Sequence, residues 1–128
     1  MKQVSRNKDK GNFIERYIKS FGHALKGIWY ALRHEHNMII ILLATIVVVI
    51  GGFYFKINTY EWLFCIMAIG TVMATEMINT AIEATIDLVT TNIHPLAKIA
   101  KDSASSATLI FSVVAFIGAL IIFIPKIF

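Results

Sequence analysis

Cysteine, proline and acidic residues are all scarce in this chain of 128 residues. There are one cysteine, two prolines and eight acids. The single cysteine, Cys65, excludes an intrachain disulfide and gives no sign of an oxidising compartment. Because it lies in an apolar run, we expect it to be a small buried residue. The seven glycines never form G-x-x-x-x-G-K-S/T or G-x-G-x-x-G, which excludes the common soluble nucleotide-binding motifs.

Charge is also sparse for a protein of this length. Only 16% of residues are charged, 57% are hydrophobic, and the mean hydropathy is +0.70. This composition disfavours a soluble domain, and the length disfavours two domains. Three apolar runs, 36–55, 60–89 and 95–124, are long enough to cross a bilayer. We therefore predict an all-α integral membrane protein with three transmembrane helices and one domain over 12–128.

Two short polar segments separate these runs. A turn is predicted at 56–59, and a second one at 90–94, where a histidine precedes Pro95. Pro125 and Lys126 are expected to end the third helix.

The N-terminal part carries most of the positive charge. Eight of the twelve basic residues precede residue 36, which predicts a cytoplasmic N-terminus and, with three spans, an outer C-terminus. Residues 1–11 are expected to be a disordered basic tail without the pattern of a signal peptide. Residues 12–34 have apolar positions at helical spacing, which favours an amphipathic helix on the membrane surface over one packed on a soluble partner. The apolar remainder disfavours nucleic-acid binding.

A polar stripe follows the second apolar run. Glu76, Asn79, Glu83 and Asp87 are spaced i, i+3, i+7 and i+11, so they share one helix face. Ionisable groups at the end of a membrane helix are costly and indicate a functional site. Glu76, the deepest of them, could act as general base toward a lipid alcohol, with Asn79 orienting it.

Other charged residues fall on the same predicted side of the membrane. Glu35 and Glu83 are hard carboxylate ligands that suit Mg²⁺, which takes its remaining ligands from water and phosphate. Lys101 could hold nucleotide phosphate, and Asp102 the metal or the nucleotide edge. Together these residues favour phosphoryl transfer from a soluble nucleotide to a membrane alcohol.

Alternatives remain open at this point. The same polar residues could form interhelical hydrogen bonds in a structural subunit without activity. They could also belong to a small proton or ion conduit, although the outer half of the predicted spans has few polar residues, mainly Thr45 and Thr71.

A resemblance to a known family rests on longer motifs. The sequence resembles the prokaryotic diacylglycerol kinase family in E-M-I-N-T-A-I-E-A-T-I-D (76–87), A-K-D (100–102), G-H-A-L-K-G-I (22–28) and Glu35. It is most similar to the Gram-positive branch, whose members phosphorylate undecaprenol, in E-H-N-M (35–38), E-W (61–62) and H-P-L-A-K-I-A-K-D (94–102).

This resemblance implies a fold, an assembly and a reaction. The family has three membrane helices and an N-terminal surface helix, and it forms a homotrimer with active sites between subunits in the bacterial cell membrane. The implied reaction transfers the γ-phosphoryl group of ATP, with Mg²⁺, to a lipid alcohol. Undecaprenol is the expected substrate, and diacylglycerol is the alternative.

The resemblance also implies roles for individual residues. Glu76 matches the catalytic base, and Glu35 and Glu83 match the metal ligands. His23 stands where some members carry a tyrosine near the nucleotide. The implied nucleotide-binding residues are Arg16, His23, Glu35, Glu83, Asn92, Ile93, His94, Lys101 and Asp102. The implied lipid-binding residues are Glu76, Asn79 and Ser105.

Overall fold

The computed structural model describes residues 12–128, which are almost entirely helical; the tail predicted at 1–11 lies outside the described residues. The helices are α1 (Phe13–His34), α2 (His36–Tyr54), α3 (Thr59–Val89) and α4 (Pro95–Ile127). By length and apolar composition, α2, α3 and α4 can each cross a membrane. For residues 12–128, the prediction of an all-α fold with three helices long and apolar enough to cross a membrane is therefore confirmed.

Helix α1 turns into α2 at a single extended residue. Glu35 has φ −107° and ψ 114°, and its backbone N–H donates to the carbonyl of Ala31 across 2.8 Å. Ala31 and Met38, on either side of this bend, are fully buried. Gly27 faces Met77, because a Cβ added at Gly27 would lie 3.7 Å from Met77 Cε. The bend thus folds α1 back against α3.

The turn predicted at 56–59 is confirmed between α2 and α3. Lys56 has a positive φ of 50°, and Asn58 forms a capping box at the start of α3. The N–H of Glu61 donates to Asn58 Oδ1 across 3.0 Å, and the N–H of Asn58 donates to Glu61 Oε2 across 2.8 Å. These two bonds satisfy backbone donors that the first turn of a helix leaves free.

A small apolar core lies near this turn. It consists of the buried residues Ile57, Cys65 and Ile122, with larger side chains packed around them. Cys65 is 3% exposed, so the expectation that it is buried is confirmed. Glycine allows close approach here, since a Cβ at Gly118 would overlap the Phe64 ring.

The two ends of α4 differ from each other. At its start the N–H of Leu96 donates to His94 Nδ1 across 3.2 Å. The expectation that Pro125 ends the helix was wrong, since α4 continues to Ile127. A proline removes one N–H but keeps a helical φ, so it does not by itself stop the last turn. Lys126 also holds this end in place through an ion pair of 3.0 Å with Glu61.

Candidate active site

Glu76 is fully buried in the middle of α3. Its exposed fraction is 0%, and neither carboxylate oxygen has a hydrogen-bond partner among the described residues. Burying a carboxyl group without a partner is costly, so such a group needs an explanation, such as a catalytic role or a bound water or ion. Glu76 is thus the side chain in the described chain that most needs a polar partner from outside.

A cavity of about 340 Å³ lies beside this carboxyl group, and we call it the Glu76 cavity. It is lined by Asn37, Ile40 and Ile41 of α2, Glu76 of α3, and Ser105, Thr108, Leu109 and Ser112 of α4. The hydroxyl of Thr108 is buried and also has no partner among the described residues. The cavity therefore offers a carboxylate and three hydroxyls to a small polar group.

An apolar groove of about 280 Å³ adjoins the Glu76 cavity. The two share Ile40, Ile41 and Ser112. The rest of the groove is lined by Ala44, Thr45, Val48, Ile69, Val72, Ala115, Phe116 and Ala119. The Thr45 hydroxyl donates to the carbonyl of Ile41 across 2.8 Å, so it offers little to a ligand. A polar pocket and an apolar groove together match a molecule with a polar head and a hydrocarbon chain.

The polar stripe continues along α3 from Glu76. Asn79 is 5% exposed, and its Nδ2 donates to Glu83 Oε1 across 3.1 Å. Asn79 Oδ1 remains without a partner among the described residues. One turn later Asp87 forms an ion pair of 2.5 Å with Lys101 of α4. The stripe thus runs from the buried carboxyl group to the exposed end of the α3–α4 pair.

A second polar cavity lies at that end, and we call it the charged cavity. Its volume is about 280 Å³. It is lined by Ile86, Asp87, Thr90, Thr91, Asn92, Ile93, His94, Ala97, Lys98, Lys101 and Asp102. Lys98 and Asp102 form an ion pair of 2.6 Å within α4. Five of the residues predicted to bind nucleotide, Asn92, Ile93, His94, Lys101 and Asp102, therefore share one cavity.

Comparison with known proteins decides the family. Residues 22–123 match the sequence profile described as Prokaryotic diacylglycerol kinase. The chain belongs to this family. It is 43% identical to undecaprenol kinase of Bacillus subtilis over 94% of this chain and 98% of that one. It is 39% identical to a diacylglycerol kinase of Helicobacter pylori over 79% of each chain, and 31% identical to diacylglycerol kinase of Escherichia coli over 80% and 84%.

Membership in the prokaryotic diacylglycerol kinase family distinguishes between the three functions that the sequence left open: a kinase, a conduit and an inactive structural subunit. The chain is a membrane lipid kinase, and the conduit and the inactive structural subunit are not supported. The predicted family resemblance is confirmed.

Other predicted site residues of this kinase lie apart from the two polar cavities. Arg16 lines a shallow cavity with Phe13, Tyr17 and Ser20 on α1 itself. His23 is exposed on α1, and Glu35 is half-buried at the bend between α1 and α2. Within residues 12–128, no group of three or more His, Cys, Asp or Glu side chains could hold a metal ion. Asn79 and Glu83 also line neither polar cavity of the described chain. The described chain therefore brings Glu76 and Ser105 together at one cavity and five of the predicted nucleotide-binding residues at the other.

Sequence reasoning missed several residues that line the cavities. Thr108 and Ser112 follow Ser105 at i+3 and i+7, so the three hydroxyls share one face of α4. Of these three only Ser105 is among the residues predicted from the sequence, although the spacing of all three is visible there. Asn37 was missed too, because nothing local in the sequence places it opposite α4.

Proposed function

We propose that the chain transfers the γ-phosphoryl group of ATP to undecaprenol within the membrane. The observation that carries this proposal is the buried carboxyl group of Glu76, which has no hydrogen-bond partner in the described part of the chain and lies in a polar cavity that adjoins an apolar groove. The relative that matches this chain over nearly its whole length is an undecaprenol kinase. Other relatives are diacylglycerol kinases, so diacylglycerol is the second candidate substrate.

Glu76 acts as the general base in this proposal. The lipid hydroxyl enters the Glu76 cavity and donates its proton to the Glu76 carboxylate as its oxygen bonds to the γ-phosphorus. The bond from the γ-phosphorus to the bridging oxygen breaks, and ADP leaves with that electron pair. Ser105 positions the alcohol from the wall of the cavity, where Thr108 and Ser112 add hydroxyls. Asn79, which does not line the cavity, assists from the next turn of α3. Much of the rate comes from holding donor and acceptor together.

The apolar groove takes the start of the hydrocarbon chain. Its lining is aliphatic or aromatic apart from Thr45 and Ser112, and it shares residues with the Glu76 cavity. A membrane alcohol could therefore keep its chain in apolar surroundings while its hydroxyl reaches the carboxylate. The alcohol would enter sideways from the bilayer.

The nucleotide binds at the charged cavity. Lys101 and Asp102 contact it there together with the turn that contains Asn92, Ile93 and His94. Arg16 and His23, which do not line this cavity in their own chain as described, would complete the site from α1 of a neighbouring subunit. Glu35 and Glu83 would hold Mg²⁺, which neutralises phosphate charge. Two protein carboxylates fit this ion, because it commonly keeps several waters and takes phosphate oxygens as further ligands.

The proposed assembly is a homotrimer in the bacterial cell membrane, with the domain formed by 12–128 and a cytoplasmic N-terminus. Arg16, His23 and Glu35 do not line the polar cavities of their own chain, which supports sites built from more than one subunit. Helix α1 would lie on the membrane surface as an amphipathic helix, since large apolar residues such as Phe13, Phe21 and Trp29 are more than half exposed.

Phosphate transfer to a panel of lipids tests this function. Purified protein in one detergent is given labelled ATP, Mg²⁺, and undecaprenol, diacylglycerol or a long-chain primary alcohol. We expect kcat/KM to be highest for undecaprenol. A higher kcat/KM for diacylglycerol would show that diacylglycerol is the preferred substrate. If no lipid received phosphate, the proposed reaction would be contradicted. Native mass spectrometry of the same sample tests the trimer.

A further inference from the structure

Asp87 is the one acid of the polar stripe to which the proposed reaction gives no role. Its Oδ1 accepts from Lys101 Nζ across 2.5 Å. The pair joins the last turns of α3 to the first turns of α4, across the connection formed by residues 90–94. Both side chains line the charged cavity.

The Asp87–Lys101 pair has little value as a stabilising link between helices. The Asp87 side chain is 61% exposed and that of Lys101 is 36% exposed. Ion pairs with this exposure add little to stability because water and salt screen them. A reason other than folding is therefore needed for an aspartate at this position.

Orientation of the lysine supplies such a reason. A lysine side chain has a flexible stem, so fixing its ammonium group for a ligand loses much rotamer freedom. An ammonium group has three donors, and the bond to Asp87 uses one of them. Lys101 held in this way keeps two N–H donors for phosphate oxygens in the charged cavity.

The neighbouring Lys98–Asp102 pair shows the contrast. It lies within α4 at i, i+4 spacing, with a distance of 2.6 Å. It does not link α4 to α3, and the Lys98 side chain is 72% exposed. Only the Asp87–Lys101 pair fixes a cation of the charged cavity relative to both helices of the described chain.

We propose that Asp87 is a positioning residue that holds the Lys101 ammonium group toward the phosphates of a nucleoside triphosphate. This inference rests on the proposed function, since it needs the charged cavity to be the nucleotide site. It gives the fourth residue of the stripe a role and adds Asp87 to the residues that determine nucleotide affinity.

Binding of a non-hydrolysable ATP analogue with Mg²⁺ to the purified full-length protein tests this role. We expect Asp87→Asn to weaken binding of the analogue by about 3- to 10-fold. The Lys101 side chain is then no longer held before binding, so it loses its rotamer freedom when the analogue binds, and this lowers the affinity. The KM for lipid should stay unchanged, and Asp87→Glu should recover part of the affinity. If Asp87 only stabilised the fold, its substitution would not lower the nucleotide affinity while leaving the KM for lipid unchanged. Unchanged or tighter analogue binding by Asp87→Asn would overturn the inference.

A double-mutant cycle separates this inference from the proposed function. Lys101→Gln should weaken analogue binding, and adding Asp87→Asn to it should have no further effect. If Lys101→Gln binds normally, the nucleotide site itself is misplaced. If Lys101→Gln binds poorly while Asp87→Asn binds normally, only the role of Asp87 fails. Glu61→Gln is the matched control, because Glu61 and Lys126 also link α3 to α4, at the opposite end.

Discussion

Asn79 donates a hydrogen bond from Nδ2 to Oε1 of Glu83, across 3.1 Å. This contact links a buried amide to a half-buried carboxylate along one face of α3. Glu76 lies one turn before Asn79 on the same face, and Asp87 one turn after Glu83. The contact therefore restrains the Glu83 carboxylate along α3, between the turn that carries Glu76 and the turn that carries Asp87.

Glu83→Gln should raise the Mg²⁺ concentration needed for half-maximal activity. Glutamine can still accept the bond from Asn79, but it lacks the negative charge that attracts the ion. Loss of even an indirect ligand typically lowers metal affinity by about 10- to 100-fold, so we expect a shift of at least about tenfold. The measurement is a Mg²⁺ titration of phosphate transfer, with the exposed acid Glu15 changed to glutamine as control. A titration that matches the wild-type protein would remove Glu83 from the proposed metal ligands.

Ala115→Leu should raise the KM for undecaprenol while the KM for ATP stays the same. Ala115 lines the apolar groove, and a leucine there would occupy space that the proposed lipid chain needs. Overpacking of this kind costs about 1–3 kcal/mol, which corresponds to a change of about fivefold or more.

Val114→Leu is the matched control for the groove. Val114 is the preceding residue of α4 and is 51% exposed, so a larger side chain there should leave both KM values unchanged. Equal effects of the two substitutions would show that the groove does not hold the lipid chain.

Gly118→Ala should destabilise the protein. Its new Cβ would overlap the ring of Phe64, which is partly buried and packs against the apolar core. We expect a loss of about 1–3 kcal/mol in the free energy of unfolding, measured by thermal unfolding in detergent. Gly70→Ala is the control, since nothing lies within 4 Å of the added Cβ; it should be neutral or stabilising by up to about 1 kcal/mol. A Gly118→Ala protein as stable as Gly70→Ala would contradict the described packing of α4 on α3.

The helices could be predicted from sequence because their signals are local. An uncharged run predicted α2, and the apolar run 60–89 predicted α3, which begins at Thr59. The spacing of Glu76, Asn79 and Glu83 likewise predicted one polar face. The end of α4 was predicted wrongly from Pro125 alone. The Glu61–Lys126 ion pair, which helps to hold this end, joins residues far apart in the chain and is not visible in the local sequence.

Contacts between helices could not be predicted in the same way. The pairing of Asp87 with Lys101 depends on how residues 90–94 turn, and the approach of Gly27 to Met77 depends on the bend at Glu35. Neither geometry follows from periodicity, which fixes the face of a helix but not the partner of that face. That the Glu76 carboxyl group finds no hydrogen-bond partner in the four described helices is also a property of their packing and not of its sequence neighbours.

The comparison of Glu76→Gln with Glu61→Gln tests the central claim most directly. Both acids lie on α3, but Glu76 is buried without a hydrogen-bond partner within residues 12–128, whereas Glu61 is paired with Lys126. The measurement is labelled phosphate transfer to undecaprenol, with thermal unfolding recorded on the same samples. We predict that Glu76→Gln loses activity by about 10²- to 10⁴-fold, the usual contribution of a general base, while it unfolds at the wild-type temperature or above. Glu61→Gln should keep its activity. Near-normal turnover by Glu76→Gln would contradict the account.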